Sequence, residues 1–133
     1  MPRRYGALLL LGLVGCMGPE TPSVITGEWG GEHLGLVATD SGATLEYDCA
    51  TGRISGVVRP DGGGRFSSVG LHFPGHGGPG IIPPDPPESR PARYDGTVRG
   101  DRMTITVTLT DTGEVLGTFT LMHGASPHVF KCL

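Results

Sequence analysis

The chain reads as an all-β protein, a small antiparallel up-and-down barrel or sandwich of about eight strands. Three observations lead there. Apolar residues recur at period two in several short runs, as half-buried strands require. Gly- and Asp-rich turn sequences separate those runs every 8–12 residues or so, the spacing of small sandwiches and barrels. Gly, Pro and Thr are plentiful, with 24 Gly and 12 Pro among 133 residues, and all three are poor helix formers. That length holds one domain. Charged residues make up 17% and aromatic residues 6%, neither the profile of a disordered tail nor that of a basic nucleic-acid binder.

The strands follow in order. The first is expected around Ile25–Trp29 and the second around His33–Thr39, where Leu34, Leu36 and Ala38 share one face. In the third, Thr44–Cys49, Leu45, Tyr47 and Cys49 alternate with Thr44, Glu46 and Asp48. The fourth is placed at Arg53–Arg59, the fifth at Arg65–Phe73 and the sixth at Ala92–Arg99. The seventh, Arg102–Thr110, alternates most cleanly: Met103, Ile105, Val107 and Leu109 face one way and four Thr the other. Val115–His123 is the eighth, with Phe119 and Leu121 on one face, and His128–Cys132 is expected to add an edge. Between them lie Asp40-Ser41-Gly42, Ala50-Thr51-Gly52, Asp61-Gly62-Gly63-Gly64, Gly100-Asp101 and Asp111-Thr112-Gly113. Glycine at such places supplies the positive φ of hairpin turns. Neighbours in sequence therefore pair, and closing the meander would remove its edges.

One connection differs. Pro74–Pro91 has 18 residues with seven Pro and four Gly, too many missing N–H donors for a sheet interior. It is expected on the surface, partly as polyproline II through Ile82–Pro87. Pro74, His76, Pro83, Pro84, Pro86 and Pro87 make it the candidate binding loop, since long loops in compact domains tend to be functional or disordered.

The N-terminus carries a compartment signal. Arg3 and Arg4 precede the short apolar stretch Ala7–Val14, about half the roughly 20 residues a spanning helix needs. Leu13-Val14-Gly15-Cys16 follows, and it resembles the lipobox of bacterial lipoproteins. That resemblance implies removal of residues 1–15, diacylglyceryl and acyl chains on Cys16, a short tether over residues 16–23, and attachment to the cell envelope. Met17 in the sorting position favours the outer membrane on its periplasmic side. Loss of Arg3 and Arg4 leaves eight basic residues against 13 acidic, a net charge of −5 on the exported domain. A negative domain does not suit the phosphate backbone, so no nucleic-acid partner is expected.

With Cys16 lipidated, Cys49 and Cys132 remain, and two cysteines in an exported protein read most simply as one disulfide. Neither has a second Cys or a His beside it at ligand spacing. Such a bridge ties the C-terminus to an early strand.

Gly27-Glu28-Trp29 opens the first strand and resembles the Gly-x-Trp signature of lipocalins, in which the Trp plugs the closed end of the barrel. The resemblance implies a lipocalin-like architecture; where that family has an Arg late in the last strand, this chain offers Lys131. Trp29 is in any case the expected aromatic anchor of the core. Tyr47-Asp48-Cys49-Ala50-Thr51-Gly52, with Cys132 near the end, resembles the hairpin of the lysozyme-inhibitor lipoproteins. That likeness implies a periplasmic inhibitor of lysozyme-type hydrolases, with Tyr47 a core residue and Gly52 a turn residue. The whole stretch from Gly27 resembles small bacterial lipoproteins sharing a Trp-Gly-Gly-Glu-His start and a Lys-Cys-Leu end. This wider resemblance implies no particular activity and supports Cys49 and Cys132 as a pair.

Catalytic chemistry finds no foothold. There is no Gly-x-Ser-x-Gly, Ser67-Ser68 lies in a strand, and Asp61-Gly62-Gly63-Gly64 lacks the Lys of a phosphate loop. Glu28, Glu32, Glu46 and Asp48 fall on polar faces or turns, where solvation accounts for them. His72 and His76 are the candidate metal ligands, with His33, His123 and His128 elsewhere. Their i,i+4 spacing converges only in a helix, which Pro74 and Gly75 forbid. The expectation is a non-enzymatic envelope module without cofactor that binds a protein partner or serves structurally. A small-molecule carrier is the alternative that would need a hollow barrel; Trp29, Phe66, Phe119 and Leu121 are candidates to fill it.

Overall fold

Eight strands pair in sequence order and close on themselves. They are β1 (Gly27–Gly31), β2 (Leu34–Thr39), β3 (Gly42–Tyr47), β4 (Ala50–Ser55), β5 (Arg65–Pro74), β6 (Arg90–Arg99), β7 (Arg102–Leu109) and β8 (Val115–His123). The structure is a computed structural model that describes residues 21–75 and 88–132. Every pairing is antiparallel, and β8 returns to β1 through Trp29 opposite His123 and Gly30 opposite Met122. The all-β meander is thus a closed barrel, not a sandwich. Closure uses both edges of the sheet, which leaves no long unpaired edge. The barrel, its core and its cross-link are complete within residues 21–132, so that stretch has what it needs to fold alone.

Alternation dictates the inside. Leu34, Leu36 and Ala38 of β2, Ala43, Leu45 and Tyr47 of β3, and Met103, Ile105, Val107 and Leu109 of β7 are all buried. A register shift at Val107/Thr108 breaks the pattern, and Thr108 is buried where an exposed Thr was expected. The central section is filled by pairing large inward side chains with inward glycines. A Cβ on Gly52 would stand 2.5 Å from the Tyr94 hydroxyl and 2.8 Å from that of Tyr47; one on Gly70 would stand 3.0 Å from the Tyr94 ring. Phe66 likewise lies over Gly96, and Phe119 over Gly117. Such large–small matching packs a narrow barrel without strain.

Gly52 therefore corrects its sequence reading. Tyr47 pairs with Ala50, so the β3–β4 turn is Asp48-Cys49, and Gly52 lies inside the barrel instead of at a bend. Cys49 takes a left-handed φ of 56° in that turn, off the inward face on which alternation placed it. β4 accordingly starts earlier than expected and stops at Ser55, because Gly56 has φ 97°. Val58 then folds under the barrel, where its carbonyl accepts the Ile25 N–H. Pro74 and Pro91 both belong to strands, opposite Ala50 and Leu71.

Ile25, Val58 and Trp29 close one end of the barrel. Trp29 donates from Nε1 to the Thr26 carbonyl at 3.0 Å, and its ring lies 4.7 Å from that of His123. His123, not Lys131, is the neighbour of this Trp.

After β8 the chain turns back and runs up the outside along β1. Gly124 donates to Glu28, and His128 donates to Gly31. Pro127 rests on Gly35, the partner of Gly30; a Cβ on Gly35 would come within 2.8 Å of the proline ring. The expected edge strand is reduced to one parallel bridge, Glu32 to His128. A proline and a surface of bare glycines allow close approach but not a regular ladder.

Candidate functional site

The end of the barrel opposite Trp29 holds the turns β1–β2 and β3–β4 and the outer ends of β5, β6, β7 and β8. A cavity of about 500 Å³ opens there, lined by His33, Tyr47, Asp48, Cys49, Ala50, His72, Leu116 and Phe119. Its size falls within the range of small-molecule sites, ~300–1,000 Å³.

Two polar side chains define it. Tyr47, at the end of β3, is 6% exposed and His72, near the end of β5, is 8% exposed. Their rings meet edge to face with centroids 5.4 Å apart. His72 Nδ1 is buried and makes no hydrogen bond among the described residues, and the Tyr47 hydroxyl, equally buried, has the Tyr94 hydroxyl as its polar neighbour. Tyr94, deeper in the barrel, donates its hydroxyl to the Leu71 carbonyl at 2.9 Å. Buried polar atoms without partners cost about 1–3 kcal/mol each, so they are rare and mark places where something else satisfies them.

Burial disfavours the charged form of both groups. Burial pushes the Tyr47 phenol above its ordinary range, and the Tyr94 hydroxyl beside it adds to the effect. Burial likewise lowers the His72 imidazole, helped by the Arg90 charge and opposed by Glu114. The apolar part of the lining comes from Ala50, Leu116 and Phe119, the last with its ring 6.2 Å from that of Tyr47.

The rim is cross-braced. Among the described residues, His33 and Cys49 are the non-glycine residues with left-handed φ, 70° and 56°, and both line the cavity. The C-terminal tail secures each of them: His33 donates its N–H to the His128 carbonyl at 2.7 Å, and Cys49 donates to that of Phe130 at 3.0 Å. Asp48 links the same parts, pairing with His33 Nδ1 at 2.5 Å and accepting the Phe130 N–H at 2.8 Å. Glu32 pairs with His128 at 2.8 Å. Asp48 and Glu32, read from sequence as merely solvated, hold the tail to the turns. Cys49 and Cys132 complete the brace at disulfide distance, with Cα atoms 4.7 Å apart. Across the mouth, Arg90 donates to both carboxylate oxygens of Asp111 at 3.0 and 3.2 Å.

Of the residues singled out in the sequence, the fold brings Cys49, Cys132 and His72 to the mouth and sends Trp29 to the other end. Pro74 ends β5 beside Ala50. Cys16, His76, Pro83, Pro84, Pro86 and Pro87 lie outside the described residues. Among the described residues, no three His, Cys, Asp or Glu side chains gather to hold a metal ion. Tyr47 as a lining group, the His33–Asp48 pair, Leu116 and Phe119 were not singled out as a site. The available signal was a Tyr and a His in inward phase near strand ends, and it needs the barrel register to be read.

Compared with protein-family models, with curated proteins and with solved structures, the chain matches none.

Proposed function

We propose that this chain is a non-catalytic binding module of the bacterial cell envelope, anchored through lipid on Cys16, and that it binds at the barrel mouth. The observation that carries the reading is the cavity itself, about 500 Å³, with Ala50, Leu116 and Phe119 as its apolar wall and the His33–Asp48 pair and the buried His72 in its lining. The filled central section argues against cargo held deep in the barrel and leaves the mouth as the place for a ligand.

The position of the tether supports the same reading. Thr21 and Pro22 lie beside Gly100, Asp101 and His123, at the end that Trp29 closes. An anchor five residues upstream of Thr21 reaches at most ~18 Å. The mouth would then face away from the lipid surface, open to the periplasm.

Two measurements test this. Labelled fatty acid should be incorporated into the chain in a bacterial host and lost in Cys16→Ala; incorporation unaffected by that change overturns the anchor. NMR of ¹⁵N-labelled residues 21–133 against a mixed set of charged and neutral small molecules should shift Ala50, Leu116 and Phe119. Shifts absent from those three residues for every compound overturn the mouth as a binding site.

A further inference from the structure

We propose that the closed end of the barrel docks on an anionic lipid surface through Arg59, Arg65, Arg99 and Arg102, so that the mouth points away from the membrane. This rests on the lipid anchor at Cys16 and adds a second, electrostatic contact that sets the orientation of the barrel.

Charge is divided along the barrel axis. The closed end consists of the turns β2–β3, β4–β5 and β6–β7 with residues 21–26, and the four arginines stand in or beside the last two of those turns. All four are exposed, and among the described residues none forms a salt bridge. The acids of this end are Asp40, Asp61 and Asp101. Asp61 offsets part of the Arg65 charge, but its Oδ1 is turned into its own loop, where it accepts the Gly63 and Arg65 N–H groups at 2.8 and 3.0 Å. At the mouth end the balance reverses. Glu32, Asp48, Glu88, Asp111 and Glu114 stand there against Arg90 and Lys131, and Arg90 is already bonded to Asp111. An anionic surface therefore attracts one end of the barrel and repels the other.

The β6–β7 turn carries the sharpest signal. Arg99 and Arg102 are directly opposite in the register, and the next partner of Arg102 is Met122, 42% exposed. Like charges facing each other across two strands are destabilising. A phosphate-bearing surface supplies the missing counterion, and an exposed Met beside two Arg side chains suits the boundary between headgroups and acyl chains. The tether arrives at this same turn, with Thr21 and Pro22 beside Gly100 and Asp101. A lipid on Cys16 keeps Thr21 within ~18 Å of the headgroups. At that separation even a weak contact is populated, because a short tether gives a high effective concentration.

The experiment attaches residues 16–133 through the Cys16 thiol to a maleimide lipid, so it reads docking whether or not a cell acylates that residue. Nanodiscs of phosphatidylcholine, with or without phosphatidylglycerol, carry a gadolinium-chelate lipid that broadens ¹⁵N amide signals close to the headgroups. Acidic discs should broaden Arg65, Gly100 and Arg102 well beyond neutral discs while Ala50 and Glu114 stay sharp. Salt at about 0.5 M should abolish the difference. Arg99→Gln with Arg102→Gln should lower the docked-to-free ratio roughly 25-fold, about fivefold for each charge, with the dispersed spectrum of the barrel preserved. Arg99→Lys with Arg102→Lys should keep the docking. Equal broadening on both kinds of disc, strongest broadening at Ala50 or Glu114, or no effect of the Gln pair overturns the docking and leaves the anchor standing. Reversal by inorganic phosphate or by a short DNA duplex, at an ionic strength where chloride has no effect, overturns the lipid surface as the partner. The anchor stands or falls separately, on fatty acid incorporation at Cys16.

Discussion

The Tyr94 hydroxyl occupies the volume that a side chain on Gly52 would need, 2.5 Å from where its Cβ would stand. Tyr94 is fully buried and fixed by its bond to the Leu71 carbonyl, so it has no free path of retreat. Gly52→Ala should therefore overpack the barrel and lower stability by about 1–3 kcal/mol. Gly56→Ala is the control: nothing lies within 4 Å, and the cost is only that of its φ of 97°. Urea midpoints compare the two, and Gly52→Ala should also shift the aromatic resonances of Tyr47 and Tyr94, which Gly56→Ala should not.

Cys49 and Cys132 are 83 residues apart in sequence. Cross-linking so large a loop restricts the unfolded chain by roughly 4–5 kcal/mol in the chain-entropy account, usually an upper figure. Cys132→Ser should lower the melting temperature markedly. Hydrogen exchange should locate faster opening at Cys49 and Phe130 while β6 and β7 keep their protection. A tail that stays protected would show that its hydrogen bonds suffice without the bridge.

Asp48 serves His33 on one side and the Phe130 N–H on the other. Asp48→Ala removes the acceptor of a tail amide and should cost about 0.5–1.5 kcal/mol. Asp48→Asn keeps an acceptor for Phe130 and should restore part of the loss. Thermal denaturation of the three proteins gives the order wild type, Asn, Ala.

His72 makes stability depend on pH with a definite sign. Its folded-state pKa lies below the ordinary 6.5, so the unfolded chain takes up a proton that the folded chain resists. Stability is unaffected above 6.5 and falls as the pH drops below it, until the folded imidazole itself protonates. Arg90, Glu114 and Tyr47 surround the ring, and of these Arg90 strengthens the effect while Glu114 weakens it. Urea midpoints between pH 7 and pH 5 should decline less in His72→Gln than in the wild type. Equal declines would remove His72 as the cause.

Eight strands in sequence order, and the inner sides of β2, β3 and most of β7, were legible from period-two alternation alone, because it marks an inner side without any knowledge of neighbours. Cysteine count likewise pointed to Cys49 and Cys132, which stand at disulfide distance. The register came from the folded barrel, and with it the difference between glycines at bends and glycines under rings. Gly52 shows why: a residue with no side chain serves equally to permit positive φ or to make room for another residue. Which of the two applies depends on Tyr94, 42 positions away. The mouth was hidden for the same reason. Tyr47 and His72 lie on strands that are not adjacent in the barrel, and their rings meet over β4, where Gly52 leaves room for Tyr47.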